Sequence, residues 1–152
     1  MILYYSGTGD TTWVAQRIAD VANDDCVSIS DLVNGDNYQI ALKRGEPLGI
    51  VSPTSASGLP DVVTGFLSKM QVKDAGYCFF VGTVNGLLDN IFHIGGLKAS
   101  WLLRKSGLHV SRSYFVHAPV AHGKHGVPRN ESKRNQKAFK EIDRMLNKML
   151  SR

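Results

Sequence analysis

The residues best suited to chemistry in this chain form a short loop close to its start. They make up a segment rich in glycine and hydroxyl groups: Ser6, Gly7, Thr8, Gly9, Asp10 and Thr11. An apolar run precedes the segment, and apolar residues recur after it at helical spacing, so the order predicts a strand, a tight loop and a helix. Such a loop presents backbone N–H groups and a helix N-terminus to an anion. Because the segment holds three hydroxyls and no cationic side chain, it is suited to hold a phosphate monoester by neutral hydrogen bonds.

Three other nucleotide loops and an ordinary turn are alternatives. A Walker-type loop ends in Gly-Lys-Ser/Thr, and this chain has no lysine before Lys43. A dinucleotide fingerprint needs a third glycine where Thr12 stands, although Asp31 lies about 20 residues further on, where a ribose-binding acid is expected. A phospho-receiver domain needs acidic residues directly after the first strand. A turn without any ligand stays open, although three hydroxyls and two glycines in six residues exceed what a turn requires.

The motif Ser6-x-Thr8-Gly9-x-Thr11 resembles the phosphate loop of flavodoxins, and the resemblance extends over nearly the whole chain. Residues 4–9, with Trp13-Val14-Ala15 close behind, are especially similar to the short-chain flavodoxin half of flavodoxin–ferredoxin fusion proteins. The resemblance implies FMN as the cofactor, held at the point where the strand order of a doubly wound sheet reverses. The two cysteines are too few for a four-cysteine iron–sulfur cluster, so no cluster is expected within this chain.

Strands and helices alternate along the chain, which predicts a parallel sheet covered by helices on both faces. The expected fold is α/β: a flavodoxin-like, doubly wound, five-stranded parallel sheet of order 2-1-3-4-5, in one three-layer α/β/α domain covering residues 1–152. Strands are predicted at residues 2–5, 26–30, 48–52, 77–82 and 113–117, and helices at 11–23, 60–70, 96–106 and from about 129 onward. Cys26 and Cys78 fall in strands two and four, about 14 Å apart, so both are expected to be buried free thiols.

Ligands of such sheets lie beyond the carboxyl ends of the strands. In flavodoxins the loops after the third and fourth strands grip the isoalloxazine ring between them. The resemblance therefore adds two groups of cofactor-binding residues to the phosphate loop: Pro53, Thr54, Ser55, Ala56, Ser57 and Gly58, and Gly82, Thr83, Val84, Asn85 and Gly86. Neither group contains Trp or Tyr, whereas flavodoxins commonly stack aromatic side chains on the flavin. One face of the ring is therefore expected to be less covered.

Two positions in these loops have more specific expected roles. In flavodoxins a peptide beside a glycine reorients so that its carbonyl accepts the N5–H of reduced flavin. Ser57-Gly58 is the matching peptide, because glycine tolerates positive φ; the alternative is that Gly58 only shapes a turn. Asp10 is expected to cap the following helix, where negative charge is favourable. The substitution Asp10→Asn is therefore expected to keep or improve FMN binding.

Charge is distributed unevenly over a chain with a formal net charge of +5. Residues 1–88 carry five basic and nine acidic side chains, whereas residues 89–152 carry thirteen and four. Part of the excess is a basic stripe on the terminal helix: Lys133, Lys137, Lys140, Arg144 and Lys148. Such a stripe is typical of a solvated helix face, and it would also steer the protein toward an acidic redox partner. No nucleic-acid-reading motif accompanies the charge, so nucleic acid is not an expected partner.

His117, His122 and His125 surround a polar segment. We expect this segment to be a plain surface loop, and a metal site is the alternative.

No charge-free apolar run approaches the ~20 residues of a membrane span, and no signal-peptide pattern precedes the first strand. We therefore expect a cytoplasmic, FMN-binding protein that shuttles electrons between a reductase and an acceptor protein. The alternatives are an FMN-dependent oxidoreductase acting on a quinone-like or other planar small molecule, and a flavin-free binding module. No nicotinamide-binding motif is visible, which favours the carrier.

Overall fold

The structure is a computed structural model that describes residues 1–55, 57–74, 76–84, 94–120 and 133–151. Seven strands are present in these ranges: β1 (Ile2–Tyr4), β2 (Cys26–Ser28), β3 (Gln39–Ala41), β4 (Leu48–Pro53), β5 (Gln71–Lys73), β6 (Cys78–Val84) and β7 (Val110–His117). The helices in the same ranges are α1 (Asp10–Ala22), α2 (Ile29–Asn34), α3 (Asp61–Lys69), α4 (Ile94–Lys105) and α5 (Lys133–Leu150).

Five strands form one parallel sheet in the order β2-β1-β4-β6-β7. Numbered along the chain, these strands have the order 2-1-3-4-5, so the predicted topology is confirmed. The order reverses beside β1, because β2 lies on one side of β1 and every later strand of the sheet lies on the other. This switch point is where open α/β sheets bind their ligands, and the predicted phosphate loop begins there.

Each face of the sheet has its own apolar core, since neighbouring residues of a strand point to opposite faces. On one face, Leu3, Ile50 and Phe80 pack with buried side chains of α2, α3 and α4. On the other, Ile2 and Val51 pack with α1 and α5. Every residue of β6 is buried, as expected for a central parallel strand covered on both sides. The predicted three-layer α/β/α arrangement is therefore confirmed.

The second strand ends at Ser28, two residues earlier than predicted. Ser28 is the N-cap of α2, and its Oγ accepts the backbone N–H of Asp31 at 3.4 Å. An extended serine whose side chain bonds three residues ahead starts a helix. Residues 29 and 30 are therefore helical rather than extended.

A second, two-stranded parallel sheet formed by β3 and β5 was not predicted. Each strand has only three residues, which is too short for an alternating pattern to be recognised in the sequence. Gln39 Nε2 donates to Gln71 Oε1 across this sheet at 2.9 Å.

Several predicted boundaries are shifted by one to three residues. Pro60 is the N-cap of α3 instead of its first residue, and β7 begins at Val110, before the predicted strand core. The predicted start of the last helix, near residue 129, lies outside the described residues. On the apolar side of this helix, Ile142, Met145 and Leu146 are buried, whereas Phe139 and Met149 are half-buried. Within the described ranges, no helix is both long enough and apolar enough to cross a membrane.

Both cysteines are free, as predicted. Cys26 in β2 and Cys78 in β6 are separated by β1 and β4; Cys78 is buried, but Cys26 is only half-buried. Burial raises the pKa of each thiol to about 11, with a further contribution from Asp20 at Cys26. Both groups are therefore protonated at neutral pH, which makes them weak nucleophiles.

Candidate functional site

Two of the three predicted ligand loops lie side by side at the carboxyl edge of the sheet. The first loop, residues 5–9, follows β1, and the second loop, residues 54–60, follows β4, which pairs directly with β1. Adjacent strands are about 4.8 Å apart, so one small ligand can contact both loops. The third loop follows β6, and its residues 85–93 lie outside the described part of the chain.

The first loop is closed by one of its own hydroxyls. The N–H of Gly9 donates to Ser6 Oγ at 2.9 Å, and Gly9 has a φ of 100°, which glycine adopts without steric cost. Gly7 and Thr8, at the tip, are exposed. A Cβ on Gly7 would have no atom within 4 Å. The tip of the loop therefore has open space beside Gly7.

Helix α1 begins directly after the loop, so its N-terminus lies at the end of this segment. A helix leaves the N–H groups of its first turn without intrahelical partners, and they carry partial positive charge. The N-cap is Gly9, and Asp10 is the first helical residue. The prediction that Asp10 caps the helix was therefore wrong, because the positive φ of Gly9 starts the helix one residue earlier than expected. The Asp10 carboxylate still lies in the first turn, where negative charge stabilises a helix.

Three predicted cofactor contacts are joined beneath the loops in what we term the threonine cluster: Thr11, Thr54 and Thr83. Thr11 Oγ1 and Thr83 Oγ1 are hydrogen-bonded at 2.8 Å. The backbone N–H of Thr54 donates to the carbonyl oxygen of Thr83 at 2.9 Å. All three residues are buried, and buried polar groups require such partners. The cluster therefore couples α1, the second loop and β6, a supporting role that the sequence did not predict.

The third loop begins later than predicted. Gly82, Thr83 and Val84 are the last residues of β6 and are buried between β4 and β7. Gly82 was also predicted as the last residue of the strand, but the placement of Thr83 and Val84 in a loop was wrong, because pairing with β7 extends the strand to residue 84. Their contact with a cofactor stays a prediction. Ala56, Asn85 and Gly86, also predicted as contacts, lie outside the described residues.

The second loop contains a turn that is closed by Ser55 and Gly58. Ser55 and Gly58 exchange two backbone hydrogen bonds of 3.1 and 2.9 Å, and Ser55 Oγ lies 2.7 Å from Ser57 Oγ. Gly58 has a φ of 108°. This is the positive φ that glycine tolerates, on which the choice of the Ser57-Gly58 peptide was based. Reorienting the Ser57–Gly58 peptide would break the bond from the Gly58 N–H to the Ser55 carbonyl oxygen. That reorientation stays a prediction, while the turn itself is observed.

Helix α4 forms a wall of the second loop that sequence reasoning missed. A Cβ built on Gly95 would lie 2.5 Å from Thr54 Cγ2, so the helix approaches this closely only because Gly95 has no side chain. A Cβ on Gly58 would lie 3.6 Å from Lys98 Cδ and 3.8 Å from Ile94 Cγ2. In the sequence, the Gly95-Gly96 pair at the start of the helix is the pattern that could have predicted this close packing. The described residues of the loop itself, 54–55 and 57–60, include no aromatic side chain.

His117, at the end of β7, is fastened to α5. Glu141 Oε2 accepts the backbone N–H of His117 at 3.0 Å and lies 2.8 Å from its Nδ1. Burial by itself would raise the pKa of Glu141, but the two contacts with His117, together with Lys137, outweigh it and lower that pKa.

The metal-site alternative also involved His122 and His125, which lie outside the described residues. Among the residues that are described, no three His, Cys, Asp or Glu side chains are placed to hold a metal.

Two clefts lie at the opposite, amino edge of the sheet. One of about 460 Å³ is lined by Met1, Asp24 and Glu46, where the N-terminal ammonium pairs with both carboxylates. The other, of about 390 Å³, lies between Tyr77 and Met149. Ligands of open α/β sheets bind beyond the carboxyl ends of the strands, so neither cleft is assigned to the candidate site.

No protein-family model matches the sequence, and a search of curated proteins finds no match. Solved structures do match. A Fusobacterium nucleatum flavodoxin bound to flavin mononucleotide is 16% identical with a TM-score of 0.56, over 97% of this chain and 94% of that one. A short-chain flavodoxin associated with a non-canonical PDU bacterial microcompartment is 14% identical with a TM-score of 0.52, over 99% and 97%. An azoreductase from Bacillus anthracis is 9% identical with a TM-score of 0.54, over 97% and 95%. These likenesses establish that the fold is flavodoxin-like.

Proposed function

We propose that this protein binds FMN non-covalently and carries electrons between a reductase and an acceptor protein. The observation that carries the proposal is the first loop, which has an exposed tip and leads directly into the N-terminus of α1 at the switch point of the sheet. A flavodoxin with the same fold has been solved with FMN bound. When bound, the flavin supplies the redox chemistry, and the protein holds it and adjusts its environment.

The first loop has the donors that a phosphate requires. Ser6 Oγ already accepts the Gly9 N–H, and its own hydroxyl hydrogen remains able to donate, because a hydroxyl both accepts and donates. The exposed Thr8 adds a second hydroxyl at the tip. Backbone N–H groups of the loop and of the first turn of α1 supply the rest, as at other helix N-termini that bind anions. These residues fit a phosphate monoester without a cationic side chain.

The second loop would hold the isoalloxazine ring. Its turn is closed by hydrogen bonds between Ser55 and Gly58 and supported from below by the threonine cluster. The loop therefore offers backbone groups and small side chains at a defined position, next to the phosphate-binding loop. We expect the ring to be oriented mainly by backbone contacts on this side.

An FMN-dependent oxidoreductase acting directly on a planar small molecule is the second candidate. One observation favours it: the described residues of the second loop lack an aromatic side chain, so one face of the flavin would remain accessible to a substrate. Azoreductases also have this fold. Steady NAD(P)H turnover with a quinone acceptor would support the enzyme, whereas electron transfer only in the presence of a partner protein would support the carrier.

The first test is a parallel titration of the purified protein with FMN and with riboflavin, followed by flavin fluorescence. We expect saturable one-to-one binding of FMN and at least about 10-fold weaker binding of riboflavin, which lacks the phosphate and its charge-assisted hydrogen bonds. Equal affinities would contradict the phosphate site. No binding of either flavin at tens of micromolar would instead favour the flavin-free binding module.

A matched pair of serine variants assigns the effect to the loop. Ser6→Ala is expected to weaken FMN binding about 10-fold and to leave riboflavin binding unchanged, because one donor to the phosphate is lost. Ser68→Ala on α3, where the hydroxyl bonds only the Gly65 carbonyl oxygen on the surface, is the control and should change neither. An equal loss for both ligands in Ser6→Ala would indicate a general distortion of the loop.

A further inference from the structure

Helix α4 exposes an apolar stripe to solvent. Ile94, Leu97 and Trp101 are 39%, 70% and 55% exposed, and their spacing of three and four residues places them on one side of the helix. The opposite side is buried through Ala99 and Leu103. Single exposed apolar residues need no explanation, but a contiguous stripe that includes a tryptophan is typical of an interaction surface.

Cations surround this stripe. Lys105 Nζ lies 3.9 Å from the centroid of the Trp101 ring, and Lys98 and Arg104 flank it along the helix. Among the described residues, none of these three cations forms an ion pair. The sequence between Asp89 and Glu131 contains six Lys and Arg residues and no carboxylate side chain. We define the α4 patch as Ile94, Leu97, Lys98, Trp101 and Lys105.

The α4 patch is continuous with the candidate flavin site. Ile94 and Lys98 lie against Gly58 of the second loop, at 3.8 and 3.6 Å from the position of a Cβ there. The patch therefore begins at the loop proposed to hold the ring and extends from it along α4. A protein bound on the patch would come close to the edge of a flavin held by that loop.

We propose that the α4 patch docks an acidic electron-transfer protein, whose contact surface has an apolar centre ringed by carboxylates. For the redox role of the partner, this inference rests on the function proposed above. The patch has the anatomy of a protein interface, with an aromatic anchor at its centre and charge at its rim. Complementary charge brings such partners together rapidly and makes their association sensitive to salt.

Two other occupants fit the patch less well. Two-fold pairing with a second copy would bring the cations of one patch close to those of the other, since such an interface uses the same patch on both copies. An anionic bilayer would be contacted by only three apolar side chains, on a helix whose other side is packed in the core. Both occupants are outcomes of the following test.

The test is a titration of the ¹⁵N-labelled protein, without added flavin, with an acidic plant-type [2Fe–2S] ferredoxin as the probe. The expected result is a set of saturable amide shifts on residues 94–105 that weaken with added salt. Trp101→Ala should raise the dissociation constant about 10-fold or more, as for an interface anchor. Leu150→Ala, at an exposed leucine on α5, is the control and should leave it unchanged.

Each of the following results would overturn the proposal: no ferredoxin binding, shifts on the basic stripe of α5 instead of α4, concentration-dependent broadening of α4 without ferredoxin, or stronger binding of α4 to phosphatidylglycerol vesicles than to ferredoxin. A basic cytochrome c should cause no shifts on α4. Because the readout needs no flavin, failure of FMN binding is measured separately. Ferredoxin docking without FMN binding would remove the redox role and thereby overturn the proposal in its stated form.

Discussion

The two ends of the candidate site are built in different ways. The end proposed to bind the phosphate, here called the phosphate end, is one continuous segment, in which Ser6 and Gly9 are three residues apart and bonded to each other. The end proposed to hold the flavin ring, here called the ring end, is assembled from parts distant in sequence: the turn closed by Ser55 and Gly58, and the start of α4, where Gly95 lies against Thr54. The first end is shaped by local hydrogen bonds, and the second by the packing of a helix against a loop.

This difference has consequences for mutation. Side-chain changes in the exposed tip of the phosphate end should alter ligand binding but not stability, because little packs against the tip. The ring end should respond to added volume with a loss of stability, because protein interiors accommodate extra atoms poorly. The threonine cluster connects the two ends, so changes there should affect both.

The largest effect is expected at Gly95. In Gly95→Ala, the new methyl group would stand 2.5 Å from Thr54 Cγ2 and 2.9 Å from Thr54 Cβ, and α4 or the second loop must shift. We expect a loss of about 2 kcal/mol in the free energy of unfolding, measured by urea denaturation. Gly65→Ala on α3 is the matched control, because a Cβ there meets nothing within 4 Å and the variant should gain about 0.5–1 kcal/mol. Similar gains in both variants would show that α4 is not pressed against the loop.

The threonine cluster should show strong coupling. Thr11→Val leaves the buried Thr83 hydroxyl without its 2.8 Å partner, and we expect a loss of about 1.5 kcal/mol in unfolding free energy. The double variant, Thr11→Val with Thr83→Val, removes both hydroxyls. Its loss in unfolding free energy should be smaller than the sum of the losses in the two single variants. Additive losses, measured by denaturant unfolding of all four proteins in the cycle, would contradict the coupling of the two ends.

A pH-dependent effect is expected further along the edge, where α5 contacts β7. The pKa of Glu141 is lowered in the folded protein. Its carboxylate therefore contributes stability that is present above the unfolded pKa of about 4.3 and is lost as pH falls through the lower folded pKa. Glu141→Gln should lower the unfolding free energy by about 1 kcal/mol at neutral pH. The difference from the unsubstituted protein should begin to shrink as pH falls below the unfolded pKa and disappear once pH is below the folded pKa. A difference independent of pH would show that the charge is unimportant.

The smallest effect is expected at Asp10, in the first turn of α1 beside the phosphate end. Asp10→Asn removes a negative charge near the proposed phosphate, so FMN affinity should stay the same or rise a few-fold. The helix should lose at most about 0.5 kcal/mol of stabilisation from its dipole. Fluorescence titration with FMN checks the first expectation and urea unfolding the second. A clear loss of FMN affinity would show that the carboxylate holds part of the loop in place.

Much of the fold could be predicted, because it follows from local periodicity. The apolar runs of β1, β4 and β6 and the spacing of apolar residues in α1 determine which segments are strands and which are helices. The alternation of these elements then restricts the sheet to parallel pairing with helices on both faces. The short strands β3 and β5 were missed, since three residues carry too little pattern to be recognised.

The sequence by itself determined the loop that we propose to bind the phosphate. Hydroxyls and glycines between a strand and a helix place a loop in front of the helix N-terminus, and contacts between near neighbours suffice to shape it. Only the tertiary structure decided the ring end, the threonine cluster and the exposure of Trp101. Thr11 and Thr83 are 72 residues apart, and Gly95 and Thr54 are also distant in sequence. Such contacts depend on strand order and on how closely a helix approaches the sheet, and neither quantity is encoded in any one segment.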